Sequence, residues 1–168
     1  MKICILKETA ENEKRVALVP DVAKKLISDG FRISMESKAG ELSNFSDDNY
    51  TSVGVELGEV DKIISDADIV FSVKMPSVEI IKKMKPEACL IGLLNPYDNQ
   101  EDLKTLAEKN INAFSMELVP RSPRAQSMDV LSSQSNLAGY KAIVDSSSMF
   151  NRAMPMMMTA AGTIAPAK

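Results

Sequence analysis

The chain of 168 residues contains no histidine, no tryptophan and only two cysteines. Without histidine there is no imidazole to carry protons near neutral pH, no Ser-His-Asp relay and no His-ligated zinc. The thiols, Cys4 and Cys89, lie inside the apolar runs KICILK and EACLIGLL, which suit buried reduced side chains better than a disulfide framework. A reducing cytosol is expected. No apolar run approaches the roughly 18 residues of a membrane-spanning helix, and ICIL followed by KETAENEK is too short for a signal peptide. Basic excess is lacking too: the net charge is -3, and no block of Lys and Arg interleaves with aromatics, so nucleic acid is not an expected partner. Neither G-x-G-x-x-G nor G-x-x-x-x-G-K-[ST] occurs, and no Cys, Asp and Glu cluster has metal-ligand spacing, so no metal is expected.

What remains is 45% hydrophobic and 26% charged, enough for one globular domain and part of something more. Short apolar runs alternate with helical patterns: KICILK (2–7), FRISMES (31–37), DIVFSVK (68–74), CLIGLL (89–94) and INAFSMEL (111–118). That rhythm predicts an α/β fold with a Rossmann-like or flavodoxin-like open, largely parallel sheet and flanking helices. The segment PDVAKKLISDG has Pro20 at a helix start, Val22, Ala23, Leu26 and Ile27 on one face, and Gly30 as its stop. SVEIIKKMK offers Ser77 as N-cap with Glu79 in the first turn and lysines in the last. EDLKTLAEKN repeats the scheme with Leu103, Leu106 and Ala107 inward and Asn110 closing, and NFSDDNYTSVGVELG is expected to hold a short helix and a short strand around Val53 to Leu57.

Composition shifts after about residue 124. From Ala125 to the end there are five charged residues and six of the eleven methionines. NLAGYKAIVDSSSMFNRA has helical spacing with little polar face, so this tail is expected to pack on something else.

Several residues are candidates for chemistry. Lys74 ends an apolar strand, where ligands gather in open α/β sheets, but a lysine there also reaches water by snorkelling. Arg15 in NEKRVALVP has the planar fork that clamps carboxylates or phosphates, but taken alone it reads first as a solvated edge charge. Asn95 and Tyr97 in NPYDN offer hydrogen bonds at another strand end, while Pro96, Asp98 and Asn99 are ordinary turn residues. The stretch RAQSMDVLSSQSNLAGY, Arg124 to Tyr140, is too long and too polar for a simple turn.

VPRSPRAQSMDVLSSQSNLAGYKAIVD followed by PMMMTAAGTIAPAK closely resembles the NAD-binding alpha subunit of proton-translocating NAD(P) transhydrogenases, relatives of alanine dehydrogenase. LKETAENEKRVALVP is similar to the opening signature of that superfamily, and AGELSNFSDDNYTSVG and SVKMP fall in matching order. The resemblance implies an N-terminal α/β domain over residues 1–132, then over 133–168 a long connecting helix and the start of a truncated NAD-binding Rossmann domain whose Gly-rich turn lies beyond this sequence. It implies a mobile loop in which Arg121, Gln126, Asp129 and Ser132 approach the nicotinamide end of NAD(H), as catalytic and cofactor-binding residues. It implies NADP(H) on a partner subunit, membrane-spanning partners, a homodimer of the alpha subunit, and a cytoplasmic place on the inner membrane face. The activity implied is hydride transfer from NADH to NADP+ coupled to proton translocation, with this chain alone inactive. In alanine dehydrogenase, residues matching Arg15 and Lys74 hold the substrate carboxylate and a histidine on the strand matching CLIGLL is the acid/base; this chain has no histidine. An amino-acid dehydrogenase and an inert binding or dimerisation module stand as the alternatives.

Overall fold

A computed structural model describes residues 1–167. It consists of two compact units, one from Met1 to Ala125 and one from Gln126 onward.

In the first unit six strands form one sheet: β1 (Lys2–Ile5), β2 (Arg32–Glu36), β3 (Glu56–Gly58), β4 (Ile69–Lys74), β5 (Cys89–Leu93) and β6 (Asn112–Ser115). Their order is β3-β2-β1-β4-β5-β6 and every pairing is parallel. The predicted α/β architecture is the one observed. The order reverses between β1 and β4, which opens a crevice at their carboxyl ends.

Alternation along the strands splits the core in two. Cys4, Val70 and Leu90 point to one face and meet Ile81 of α4 (Val78–Lys83) and Leu106 of α5 (Gln100–Glu108), with Ile63 of α3 (Val60–Ile63) joining them. Ile3, Ile5, Ile33 and Met35 point to the other and meet Ala23 of α1 (Pro20–Ser28) and Tyr50 of α2 (Asp47–Thr51). Tyr50 is fully buried, and its hydroxyl donates to the Leu18 carbonyl at 2.9 Å, so the ring enters the core without stranding its polar end. Burial pushes that phenol up to about 12.

Local chemistry explains the helix ends. Pro20 opens α1, where its missing N–H costs nothing, and Gly30 takes φ +91 just beyond its end. Ser77 occupies the cap position of α4 without a side-chain cap bond. Two expected inward residues face water instead: Val22 of α1 and Ala107 of α5 are exposed, because only Ala23 and Leu106 of those turns reach the sheet. Gly92 of β5 lies so close to β4 that a Cβ there would stand 2.5 Å from the Ser72 carbonyl oxygen, beside the irregular pairing between Phe71 and Lys74.

The second unit holds α6 (Val130–Met149) and an antiparallel hairpin of β7 (Met157–Thr159) and β8 (Gly162–Ile164). The hairpin is not among the expected elements, because a run of methionines carries no strand alternation to read. Residues 126–132 group with this second unit. Leu137, Tyr140, Ile143 and Val144 of α6 and Met156, Met157 and Met158 around β7 are exposed. Among the described residues no helix is long and apolar enough to cross a membrane.

Candidate functional site

The carboxyl ends of β1 and β4 hold a cluster of four charged side chains. Glu8, in the segment after β1, accepts hydrogen bonds from the backbone N–H groups of Val73 (2.6 Å) and Lys74 (3.2 Å), tying that segment to the end of β4. Burial pushes the Glu8 carboxyl above its usual range, against the pull of those two bonds. Five residues on, Glu13 is 8% exposed and accepts from the Arg15 backbone N–H at 3.0 Å, from Nε at 2.8 Å and from Nη2 at 2.8 Å. Lys74 Nζ stands 3.8 Å from the same carboxylate.

The side-chain hydrogen bonds from Arg15 hold the Glu13 carboxyl at about 2, outweighing burial. In return Glu13 raises Arg15 above its ordinary value. The structure therefore does bring Arg15 and Lys74 together, but on a carboxylate belonging to the chain. Sequence reasoning finds both cations and misses Glu13 and Glu8. The available signal is the E-x-R spacing in NEKR, which in a turning loop lets a carboxylate meet a guanidinium two residues on.

Beyond β5 the NPYDN segment is held from within. Asn95, in the left-handed region at φ +44, donates from Nδ2 to Asp98 at 2.7 Å, and Asn99 donates from Nδ2 to the Leu94 carbonyl at 2.8 Å. These are turn and cap bonds, so of the two readings left open for this segment the structural one accounts for Asn95. Tyr97 is 76% exposed. Glu117, in the 3-10 turn Met116–Leu118 just after β6, accepts from the Leu94 N–H at 3.3 Å and from the Asn95 N–H. Burial pulls its carboxyl upward, yet the bonds it receives, from Asn95 and Leu94 among others, leave it below the ordinary range.

From Glu117 the chain runs through Val119 and Pro120 to Arg121, which is exposed, as are Pro123 and Arg124. Ala125 is buried and closes the arch, its N–H donating to the Ser122 carbonyl at 3.0 Å. Gln126 is exposed in a 3-10 turn, Gln126–Met128. Asp129 is the N-cap of α6: it accepts from the Ser132 N–H at 2.9 Å and from the Ser132 hydroxyl at 2.6 Å. The stretch from Arg124 to Tyr140, expected as a polar loop, is thus a loop only as far as Asp129; its polar residues from Ser132 on lie on a helix that starts at Val130. Asp129 and Ser132 are brought together, while Arg121 belongs to the first unit and Gln126, Asp129 and Ser132 to the second. Among the described residues, no group of three or more His, Cys, Asp and Glu side chains is placed to hold a metal ion.

Relatives carry the same framework. The chain is 46% identical over 173 residues to an NAD(P) transhydrogenase alpha subunit, itself the first portion of a divided subunit, of Rickettsia prowazekii, covering all of this chain and 45% of that one. It therefore spans somewhat under half the length of that relative. The crystal structure of transhydrogenase from Sinorhizobium meliloti matches with a TM-score of 0.93 and 42% identity, over 99% of this chain and 50% of that one. Alanine dehydrogenase of Bacillus subtilis is more distant, 32% identical over 84% of this chain and 37% of its own. Residues 4–138 match the family described as alanine dehydrogenase/PNT, N-terminal domain, and the chain belongs to that family.

Proposed function

We infer that this chain is the N-terminal portion of a transhydrogenase alpha subunit that, with partner subunits, passes hydride from NADH to NADP+ coupled to proton translocation. The observation that carries this reading is the segment from Arg121 to Ser132: exposed Arg121 and Gln126 donors around the buried Ala125, followed by the Asp129–Ser132 cap of α6. The similarity to transhydrogenase alpha subunits over the whole of this chain supports it.

The chain's residues fit one end of a dinucleotide. They lack both Gly-rich phosphate loops, so the pyrophosphate would be held by residues of the longer subunit beyond these 168. When bound, the nicotinamide ring supplies the hydride chemistry. Arg121 and Gln126 would donate hydrogen bonds to its carboxamide and ribose. The Asp129 carboxylate, kept in place by Ser132, would hold negative charge beside the oxidised ring. Such a site works by placement, since hydride passes only between rings held in near contact. NADP(H) would come on a partner subunit, the alpha subunits would pair as a homodimer, and membrane-spanning partners would keep this cytoplasmic part at the inner face of the membrane.

The alanine dehydrogenase reading draws on the meeting of Arg15 and Lys74. It is weakened by Glu13, which already occupies the space between them, and by the absence of histidine.

NADH binding, followed by nucleotide fluorescence on this chain and on the subunit at the full length of its relatives, tests the proposal. Binding by the longer form alone is expected, with hydride transfer that falls at least tenfold in Arg121→Ala. Equal binding by both forms would place a complete nucleotide site within these residues and refute the division of labour. Alanine oxidation with NAD, lost in Lys74→Ala, would favour the dehydrogenase instead.

A further inference from the structure

We propose that Glu117 is a positioning residue for Arg121, fixing the root of the Arg121 arch by clamping it to the end of β5; this rests on the transhydrogenase reading of Arg121.

Three observations converge on it. First, the Glu117 carboxylate spans two consecutive backbone N–H groups, Leu94 and Asn95, at the point where β5 ends and the chain turns through the left-handed Asn95. A carboxylate bonded to two amides of another segment holds its own backbone in both position and orientation, which a single bond does not. Second, only Leu118, Val119 and Pro120 separate Glu117 from Arg121, and the arch that follows carries a second proline, Pro123. Each proline fixes one φ, so the placement of Glu117 reaches Arg121 with little slack. Third, the other end of the arch is anchored by the burial of Ala125, and the Ala125 N–H bond to the Ser122 carbonyl tightens the arch between them. The Arg121 side chain stands exposed on a short span pinned at both ends, as a donor needs if it is to meet a cofactor without paying for loop ordering. Glu117 touches no reacting group: it acts through Arg121.

The same clamp joins two loops at the carboxyl edge of the sheet. The NPYDN loop with exposed Tyr97 and the Arg121 arch are held in one frame by a single side chain. Loss of Glu117 therefore frees the Arg121 root while the core, made of the strands and α1 to α5, stays assembled.

The test is a double-mutant cycle in the alpha subunit at full length, assembled with its partners, reading kcat and KM for NADH. Glu117→Gln puts an amide donor against backbone donors and is expected to lower kcat about tenfold with KM changed less than twofold. In an Arg121→Ala background the same change is expected to cost less than twofold. Pro120→Gly, at an exposed position, leaves the clamp intact and loosens its transmission; it is expected to lower kcat severalfold in the parent protein and to have no effect with Arg121→Ala. It serves equally if Glu117→Gln does not fold. Equal losses in both backgrounds, or a loss carried by KM, would overturn the inference and leave Arg121 untouched. Unchanged kcat in Arg121→Ala alone would instead overturn the transhydrogenase reading, and this inference with it.

Discussion

Two carboxylates a few residues apart respond to acid in opposite senses. Glu13 has its folded value lowered to about 2, below the roughly 4.3 of an unfolded chain, so its contribution is fully present above about pH 4.3 and disappears as the pH falls toward 2. Glu8 is raised by burial, so its ionisation costs stability, and the cost is relieved as the pH falls through its folded value toward the unfolded one. The Glu13 pair with a half-exposed Arg15 is screened by solvent, which limits its effect to about 1 kcal/mol. Glu13→Gln is expected to destabilise the protein by about that amount at pH 7 and to flatten the acid limb of the stability curve, read by urea unfolding from pH 2 to 7. An undiminished acid limb would show that other carboxylates control it. Tyr50→Phe leaves the Leu18 carbonyl without its donor inside the core and should cost about 1 kcal/mol by the same measurement.

At the scale of elements, β4 and β5 approach more closely than any side chain at Gly92 permits. Gly92→Ala must push the Ser72 carbonyl aside, and about 2–3 kcal/mol of destabilisation is expected, visible as a fall in Tm. The cap of α6 is a second such joint. Asp129→Ala removes both bonds to Ser132 and should weaken the first turn of the helix by about 1 kcal/mol, seen as lost helical circular dichroism. Under the functional reading the same substitution also lowers hydride transfer in the full-length subunit, whereas Asp129→Asn keeps much of the cap and removes the charge.

Strands and helices with clear periods are legible in the sequence: α1, α4, α5 and the five apolar strands lie where their patterns put them. The short α3 is not, since four residues hold barely one turn of period. Glu117 is invisible as a site residue for a different reason: its partners are 22 and 23 residues away, and no local pattern encodes a contact that the strand order creates. Glu13 leaves a local trace in its spacing to Arg15, but its approach to Lys74, 61 residues on, is likewise made by the strand order.

For the molecule as a whole, the second unit sets the behaviour in solution. The apolar residues of α6 and the methionines around β7 are exposed over a region with few charges to oppose association. This chain alone is expected to self-associate, with light scattering showing species above 18.3 kDa at micromolar concentration. A compact monomer under those conditions would contradict the expectation. Tyr140→Glu or another added charge on α6 is not expected to cure it, because the exposed apolar residues extend through the hairpin.

Glu13 also supplies the cations at the end of β4 with a counter-ion of their own. Tethered two residues from Arg15 and held on both Nε and Nη2, its carboxylate has a local effective concentration far above the millimolar range of free small acids. A diffusing carboxylate would have to compete there with an anion that the chain carries with it.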